Sequence, residues 1–584
     1  MASTGTTGLI LTGVSIACTI AVGVAGTSLM EPPLPGPPGV SGALGQLPWS
    51  VDLRLSPYLA VGLAAAGLAA GTLGLALTLR ALRGGWRINP QAVLLAGVAA
   101  AIVAGTTRPF GSSDFLSYAA YGRELVTGHN PYVVAPAALA RLGDPVARAV
   151  QDWAGTPSVY GALASGVFGF ASLVGGASAR LTVFVLDLVN AAAFVATGVL
   201  LDRLARDRPA VRLRAAVLWT CNPLLLQILV AGGHVDALAV AFGVAGIAVA
   251  APAVAASRVA GGLSRVAGGA SRVAGGASRA VLFRGAAAGA LIGLGFAVKP
   301  TVVLIGIGIA IALLTSTATS SPSVASSPSV TPPSVRNVAN ANRLRDLIAV
   351  SVAIATETAI KLLRSPLFRV VVCGLLAGFA VVAGADFALI GRAGIAQTLR
   401  ASSMVSVGSP WRVVRTVLSQ FVAEPVADEM VRGGAIVFAL FLAAGFLRRR
   451  VRFDRNLSLG RGLTSLGARQ ARDGGAAAGR VAFALVLAWL VAWPYVLPWY
   501  DALAWALLPL LPASGFDWVL LARTTALGFG YLPARSAGIT IPAGLRWMEP
   551  VIRSAVTPAV LAAVAVLLIY VALHRAWPHS FHDL

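Results

Sequence analysis

PYLAVGLAAAGLAAGTLGLALTLRALRGGWR, residues 57–87, is an apolar run closed by Arg80, Arg83 and Arg87. From 57 to 79 it carries no charge. At 1.5 Å of rise per residue, such a run crosses a hydrocarbon core about 30 Å thick. A helix satisfies its own backbone groups, so it is the form this segment takes in lipid. Arginines directly after the run mark the cytoplasmic end of a membrane helix, where Lys and Arg concentrate.

The same pattern recurs outward in both directions. Apolar runs lie near 8–28, 91–107, 180–201, 212–230, 235–255, 281–298, 300–315, 367–391, 433–447, 481–498, 500–513, 517–534 and 556–573. With 57–79 they predict an all-α polytopic membrane protein of about fourteen spans. The stretch 159–176 is also apolar, but counting it as a span disrupts the charge pattern; it predicts a re-entrant or interfacial segment. The run at 8–28 has no charged residue before it, unlike a signal peptide, and reads as a first span.

Composition agrees. Of 584 residues, 57% are hydrophobic and 11% charged, against roughly 25% charged in a soluble domain. The net charge of +23 sits in short loops between apolar runs, which suits lipid headgroups and excludes a nucleic-acid-binding surface. Cys18, Cys221 and Cys373 lie in apolar runs without a CxxC pair, so they read as small buried residues.

Arginine clusters at 80–87, 203–214 and 448–455, with Arg575 after the last run, fit one topology with both termini in the cytoplasm. The outside then holds 29–56, 108–179, 231–234, 392–432 and 535–555. The chain divides into N-terminal spans (1–90), a core (91–255) carrying the outside loop 108–179, a repeat loop (256–280), core spans (281–315), a linker (316–345) and C-terminal spans (346–584). The repeat, from Ala256 to Arg279, is built on ASRVAGG; its Gly pairs, each costing about 1 kcal/mol in a helix, predict a flexible loop. The Ser/Pro/Thr tract 315–333 cannot bury a core.

Polar residues are informative in a chain this poor in charge. At 112–132, SSDFLSYAAYGRELVTGHNPY predicts a short helix capped by Ser112 or Ser113. Asp114, Tyr118 and Tyr121 follow at i, i+4 and i+7 and share one face. Asp114 is then either a plain cap or a carboxylate offered beside the bilayer. Asn222-Pro223 and Gly232-Gly233-His234-Val235-Asp236 form a second cluster, read either as a tight turn or as a site. Lys299-Pro300 is a lone cation at a helix break, either snorkelling to the interface or meeting an anion. Trp493 to Asp501 combines aromatic-belt residues with two prolines and an acid.

Taken in this order, these clusters resemble the polyprenol-phosphomannose-dependent α-1,6-mannosyltransferases of actinobacteria, members of the glycosyltransferase-C superfamily. The resemblance rests on 112–132, TPSVYG at 156–161, NPLLL and GGHVDAL within 222–238, VKP at 298–300 and LPWYDAL at 497–503. The chain departs from the family's usual pattern at Phe115-Leu116, where a Tyr often follows the acid, and at Val159, where Pro is frequent. The resemblance implies a glycosyltransferase-C-like bundle in the cytoplasmic membrane with its active site facing outside. It implies polyprenyl-phosphate mannose as donor and a mannan or glycolipid as acceptor. Asp114 would be the catalytic base. Lys299, with Arg412 or Arg108, would meet the leaving phosphate, and His234 and Asp236 would position sugars. Tyr118, Tyr121, Asn130, Tyr132, Tyr160, Trp499 and Tyr500 complete the expected substrate contacts. No cofactor is required; a divalent ion, if used, would lie between Asp114 and Asp236. Two rivals remain: a transferase for another lipid-linked sugar such as glucose or arabinose, and a lipid-linked-sugar transporter.

Overall fold

The computed structural model describes residues 2–35, 47–263, 274–318, 366–448, 466–533 and 540–574. Within them the chain is helical, with no strand beyond isolated bridges. The main helices are α1 (Ala2–Ala25), α2 (Pro57–Arg83), α3 (Pro90–Thr106), α4 (Asp114–Val126), α5 (Ala162–Gly175), α6 (Ala179–Leu204) and α7 (Pro209–Leu218). They continue as α8 (Asp236–Leu263), α9 (Ala274–Phe296), α10 (Val303–Ala318), α11 (Pro366–Ser402), α12 (Trp411–Leu418), α13 (Glu424–Arg448), α14 (Leu466–Ala492), α15 (Phe516–Gly530) and α16 (Thr557–His574).

Ten helices among the described residues are long and apolar enough to cross a membrane, which makes this a multi-pass membrane protein. All ten coincide with expected spans. Two further expected spans are the shorter helices Pro90–Thr106 and Pro300–Leu314. The remaining two differ from expectation. Residues 498–510 are broken into short 3-10 and α turns, because Pro498 and Pro509 each withdraw a backbone donor. This stretch lies deep in the protein, with Trp505, Leu507 and Leu508 fully buried. Helix α15 has only 15 residues and carries Asp517 and Arg523, both buried. Its charges are held within the bundle. Arg214 clasps Asp517 through two bonds of 2.7 and 2.8 Å, and Arg523 binds Asp501 at 2.9 Å.

The 14-residue α5 is about 21 Å long, too short to span. As expected for a re-entrant piece, it packs against α4 and α6 while exposing Phe170 and Leu173.

The repeat corrects one expectation. Helix α8 runs on to Leu263 and α9 begins at Ala274, so the outer units of the repeat are helical. Extending an existing helix adds a hydrogen bond per residue without a new nucleus, and that outweighs the glycine penalty. Residues 264–273, the tract 319–333 and the arginines 449–455 lie outside the described residues. A second difference concerns 392–432: α11 continues through a kink at Gly391 (φ 62°) as far as Ser402, and α12 follows.

Small residues let the helices approach. Gly285, Gly289 and Gly293 of α9 face α11, and Gly374 and Gly378 of α11 face α9. A Cβ at Gly289 would meet the Leu375 carbonyl, and one at Gly378 the Ala286 carbonyl. This is backbone-to-backbone packing of the small-xxx-small kind, which gains dispersion where lipid offers no hydrophobic drive.

Arg83, the last residue of α2, also lies 3.5 Å from Asp517. The ends of α2 and the start of α7 therefore meet at one side of the bundle. Helix α3 then carries the chain across to α4 on the opposite side.

Candidate active site

Helix α4 is short and mostly buried, and it starts where Ser112 Oγ accepts the Asp114 amide at 3.2 Å. The N-cap residue Ser113 makes no cap bond; its hydroxyl donates to Asp152 at 2.6 Å. Asp114 is therefore not consumed by capping the helix. The spacing i, i+4, i+7 sets Asp114, Tyr118 and Tyr121 on one face, and all three line one cavity of about 240 Å³.

That chamber is walled by aromatics: Trp153, Tyr160, Trp489, Trp493, Trp499 and Tyr500 among them. Tyr160 donates to the Tyr118 hydroxyl at 3.2 Å, and both rings pack on Phe168. The Lys299 ammonium lies 3.9 Å above the Tyr500 ring and 2.5 Å from Asp236. Its backbone is extended (φ −150°, ψ 121°) because α9 has ended and Pro300 starts a new turn. Helix α11, past its kink, supplies Thr398, Ala401 and Ser402.

A second chamber of about 350 Å³ adjoins the first. Asp114, Trp153, Tyr495, Leu497 and Tyr531 line both. The second also holds Asp152, Arg553, Thr557 and the loop 405–408. Ser406 pins that loop, accepting from the Val496 amide and donating to the Val496 carbonyl, both at 2.9 Å. Asp114 thus stands at the junction of two spaces. Trp153, beside it, holds a left-handed backbone (φ 65°), a conformation costing of order 1–3 kcal/mol and typical of functional sites.

Behind Asp114 lies His234. Gly233, with φ 66°, makes the turn that aims it, and the histidine Nδ1 comes within 3.7 Å of the Asp114 carboxylate. The ring stacks on Trp499 at 3.5 Å between centroids. Burial, with the Lys299 charge adding to it, lowers its pKa well below the usual value, so His234 is neutral at pH 7. Burial raises the Asp114 carboxyl to about 7, while the Lys299 charge pulls the other way.

The other expected residues divide. Tyr118, Tyr121, Tyr160, Lys299, Trp499 and Tyr500 line the first chamber, and Asp236 supports it through Lys299. Tyr132 is buried behind the wall, bonded to Ser165 at 2.9 Å, and Asn130 is exposed, with its side chain accepting the Tyr132 amide. Arg412 is exposed on α12 and lines neither chamber. Arg108 is buried against Glu31 at 3.5 Å and is likewise absent from both walls. Among the described residues no three His, Cys, Asp or Glu side chains gather as metal ligands. The sequence reading passed over Trp153, Trp489, Tyr531 and Arg553, and placed Tyr495 in the Trp493 to Asp501 cluster without giving it a substrate contact. Arg553 carried a usable signal: it is a charge within an apolar C-terminal helix.

A carboxylate raised to about 7 thus stands between an aromatic chamber and a second polar one inside a multi-pass helical protein. The chain belongs to the alpha-(1->6)-mannopyranosyltransferase family, whose N-terminal-domain model matches residues 10–315. The match includes Asp114, Tyr118, Tyr160, His234, Asp236 and Lys299, while Trp489 to Arg553 lie beyond it. No curated protein matches the chain, and no solved structure matches it.

Proposed function

We propose that this protein transfers mannose from polyprenyl-phosphate mannose to a mannan or glycolipid acceptor, forming an α-1,6 linkage with inversion. The reaction would take place at the outer face of the cytoplasmic membrane. The observation that carries this reading is Asp114 at the meeting of the two chambers. A direct displacement needs the acceptor hydroxyl, the anomeric carbon and a base to converge at one point. Asp114 takes the proton of the acceptor's primary hydroxyl, whose oxygen attacks the anomeric carbon. The bond from that carbon to the phosphate oxygen breaks, and polyprenyl phosphate leaves with the electron pair. A β-linked donor gives an α product in this single step.

The aromatic faces of the first chamber suit the apolar faces of sugar rings. The pairing of Lys299 with Asp236 revises its expected part: a cation already neutralised at 2.5 Å serves better to hold the chamber floor and orient sugar hydroxyls than to receive a phosphate. His234, uncharged, packs behind the base without itself setting a cation against Asp114.

The test is transfer in liposomes holding the purified full-length protein, with radiolabelled polyprenyl-phosphate mannose, glucose or arabinose as donors. Transfer from mannose alone is the expected outcome. Preference for glucose or arabinose overturns the assigned donor.

A further inference from the structure

Resting on that reading, we infer that the second chamber is the subsite for the acceptor's terminal sugar, a neutral hexose, and that Asp152 and Trp153 read it. The two chambers differ in the elements that build them. The first is bounded by membrane helices, with Thr398, Ala401 and Ser402 from α11 and Trp489 from α14. The second is bounded largely by connecting segments: Ser112, Asp152, Trp153, the loop 405–408 and residues 495–498. A donor with a lipid tail reaches a space between spans, whereas an acceptor sugar comes from water past the loops.

The walls of the second chamber suit a sugar without charge. Two carboxylates, Asp114 and Asp152, line it with one guanidinium, Arg553. Carboxylates in the majority disfavour an anionic ligand through like-charge repulsion. A carboxylate accepts hydrogen bonds from neighbouring hydroxyls, and an aromatic ring covers the apolar face of the same sugar. Trp153 supplies such a ring, 41% exposed, and Tyr495 and Tyr531 line the same space.

Three bonds fasten this pair to the helix that carries the base. Ser113 donates to the Asp152 carboxylate at 2.6 Å, Ser117 to the Asp152 carbonyl at 3.2 Å, and Tyr121 to the Thr156 carbonyl at 2.9 Å. The donors recur every four residues along one side of α4, from its N-cap onward. Trp153, with its left-handed backbone, lies inside the fastened segment. A sugar gripped by Asp152 and Trp153 is therefore positioned relative to Asp114 by α4 itself, which is what a displacement at one point needs.

The experiment uses the full-length protein in lipid nanodiscs, with soluble α-1,6-linked mannotriose as probe. Its two readouts are direct binding of the trisaccharide and steady-state kinetics varying donor and trisaccharide separately. Asp152→Asn keeps the shape and can still accept from Ser113. It should weaken trisaccharide binding and raise acceptor KM at least tenfold, with donor KM within twofold. Trp153→Gly, which removes the ring at a backbone conformation glycine adopts freely, should do the same. Val407→Trp fills the second chamber alone and should block the trisaccharide; Ala401→Phe intrudes on the first alone and should raise donor KM while leaving trisaccharide binding within about threefold. Should Asp152→Asn fail to fold, Trp153→Gly and Val407→Trp carry the test. Unchanged trisaccharide binding in a folded Asp152→Asn or Val407→Trp protein overturns the inference, as does its loss in Ala401→Phe or its absence in the wild type. The binding readout is independent of sugar transfer. A wild-type protein that binds the trisaccharide through Asp152 yet transfers no mannose refutes the proposed function and leaves the subsite standing.

Discussion

At the scale of single residues, the reaction rests on Asp114 and on what burial does to it. A base works in its deprotonated form. With its carboxyl raised to about 7, activity should fall as pH drops below 7 and level off above it. Asp114→Asn removes the base but keeps the shape, so turnover should fall about 10²–10⁴-fold in a protein that still folds and binds donor. A change of only a few-fold would make Asp114 a structural acid. Lys299 allows a finer check. Its charge opposes the rise in the Asp114 pKa, so removing it should let that pKa climb further. In Lys299→Met the acidic limb of the kcat/KM profile should therefore move to higher pH. A limb that stays in place, or moves down, would show that Asp114 is not the group being titrated.

At the scale of elements, the α9–α11 seam decides whether the far wall of the first chamber exists, because α11 brings Thr398 and Ser402 to it. Gly289 and Gly378 bring backbone against backbone there. Gly289→Leu should cost about 1–3 kcal/mol through overpacking, read as earlier thermal unfolding in detergent. Gly13→Leu is the control, since no atom lies within 4 Å of a Cβ at that position. Equal effects from both would mean that bulk in any helix, not this seam, is what the protein rejects. The seam also shows why small residues recur in apolar runs: in lipid they set which helices touch.

At the scale of the whole molecule, Arg83 and Arg214 converge on Asp517 at one side, and the 17-residue α3, about 25 Å long, leads from there to α4. If the arginine side is cytoplasmic, a cysteine at Thr127, which is exposed just after α4, should react with a membrane-impermeant thiol reagent in intact cells. The assay is done with Cys18, Cys221 and Cys373 replaced by Ala. Labelling only after lysis would reverse the orientation and the proposed face of the reaction. Deleting 264–273, between the described ends of α8 and α9, should leave transfer within twofold of wild type; its loss in a well-expressed protein would give that segment a role.

Much of this was legible in the chain itself, for definite physical reasons. Lipid demands long apolar helices, so ten spans could be read from hydropathy alone, and arginine placement grouped their ends. Helical periodicity put Asp114, Tyr118 and Tyr121 on one face before any fold was known. The spans misread were those where tertiary partners override composition: Asp517 and Arg523 are tolerated in α15 only because Arg214 and Asp501 stand beside them, and no local pattern announces a partner some three hundred residues away. The tertiary structure alone decided that Lys299 closes on Asp236, that Arg108 faces Glu31, and that Arg553 reaches the same space as Asp114. A sequence states which charges a membrane protein carries; which of them neutralise one another, and which are left facing a substrate, is settled by distances that only the packed bundle creates.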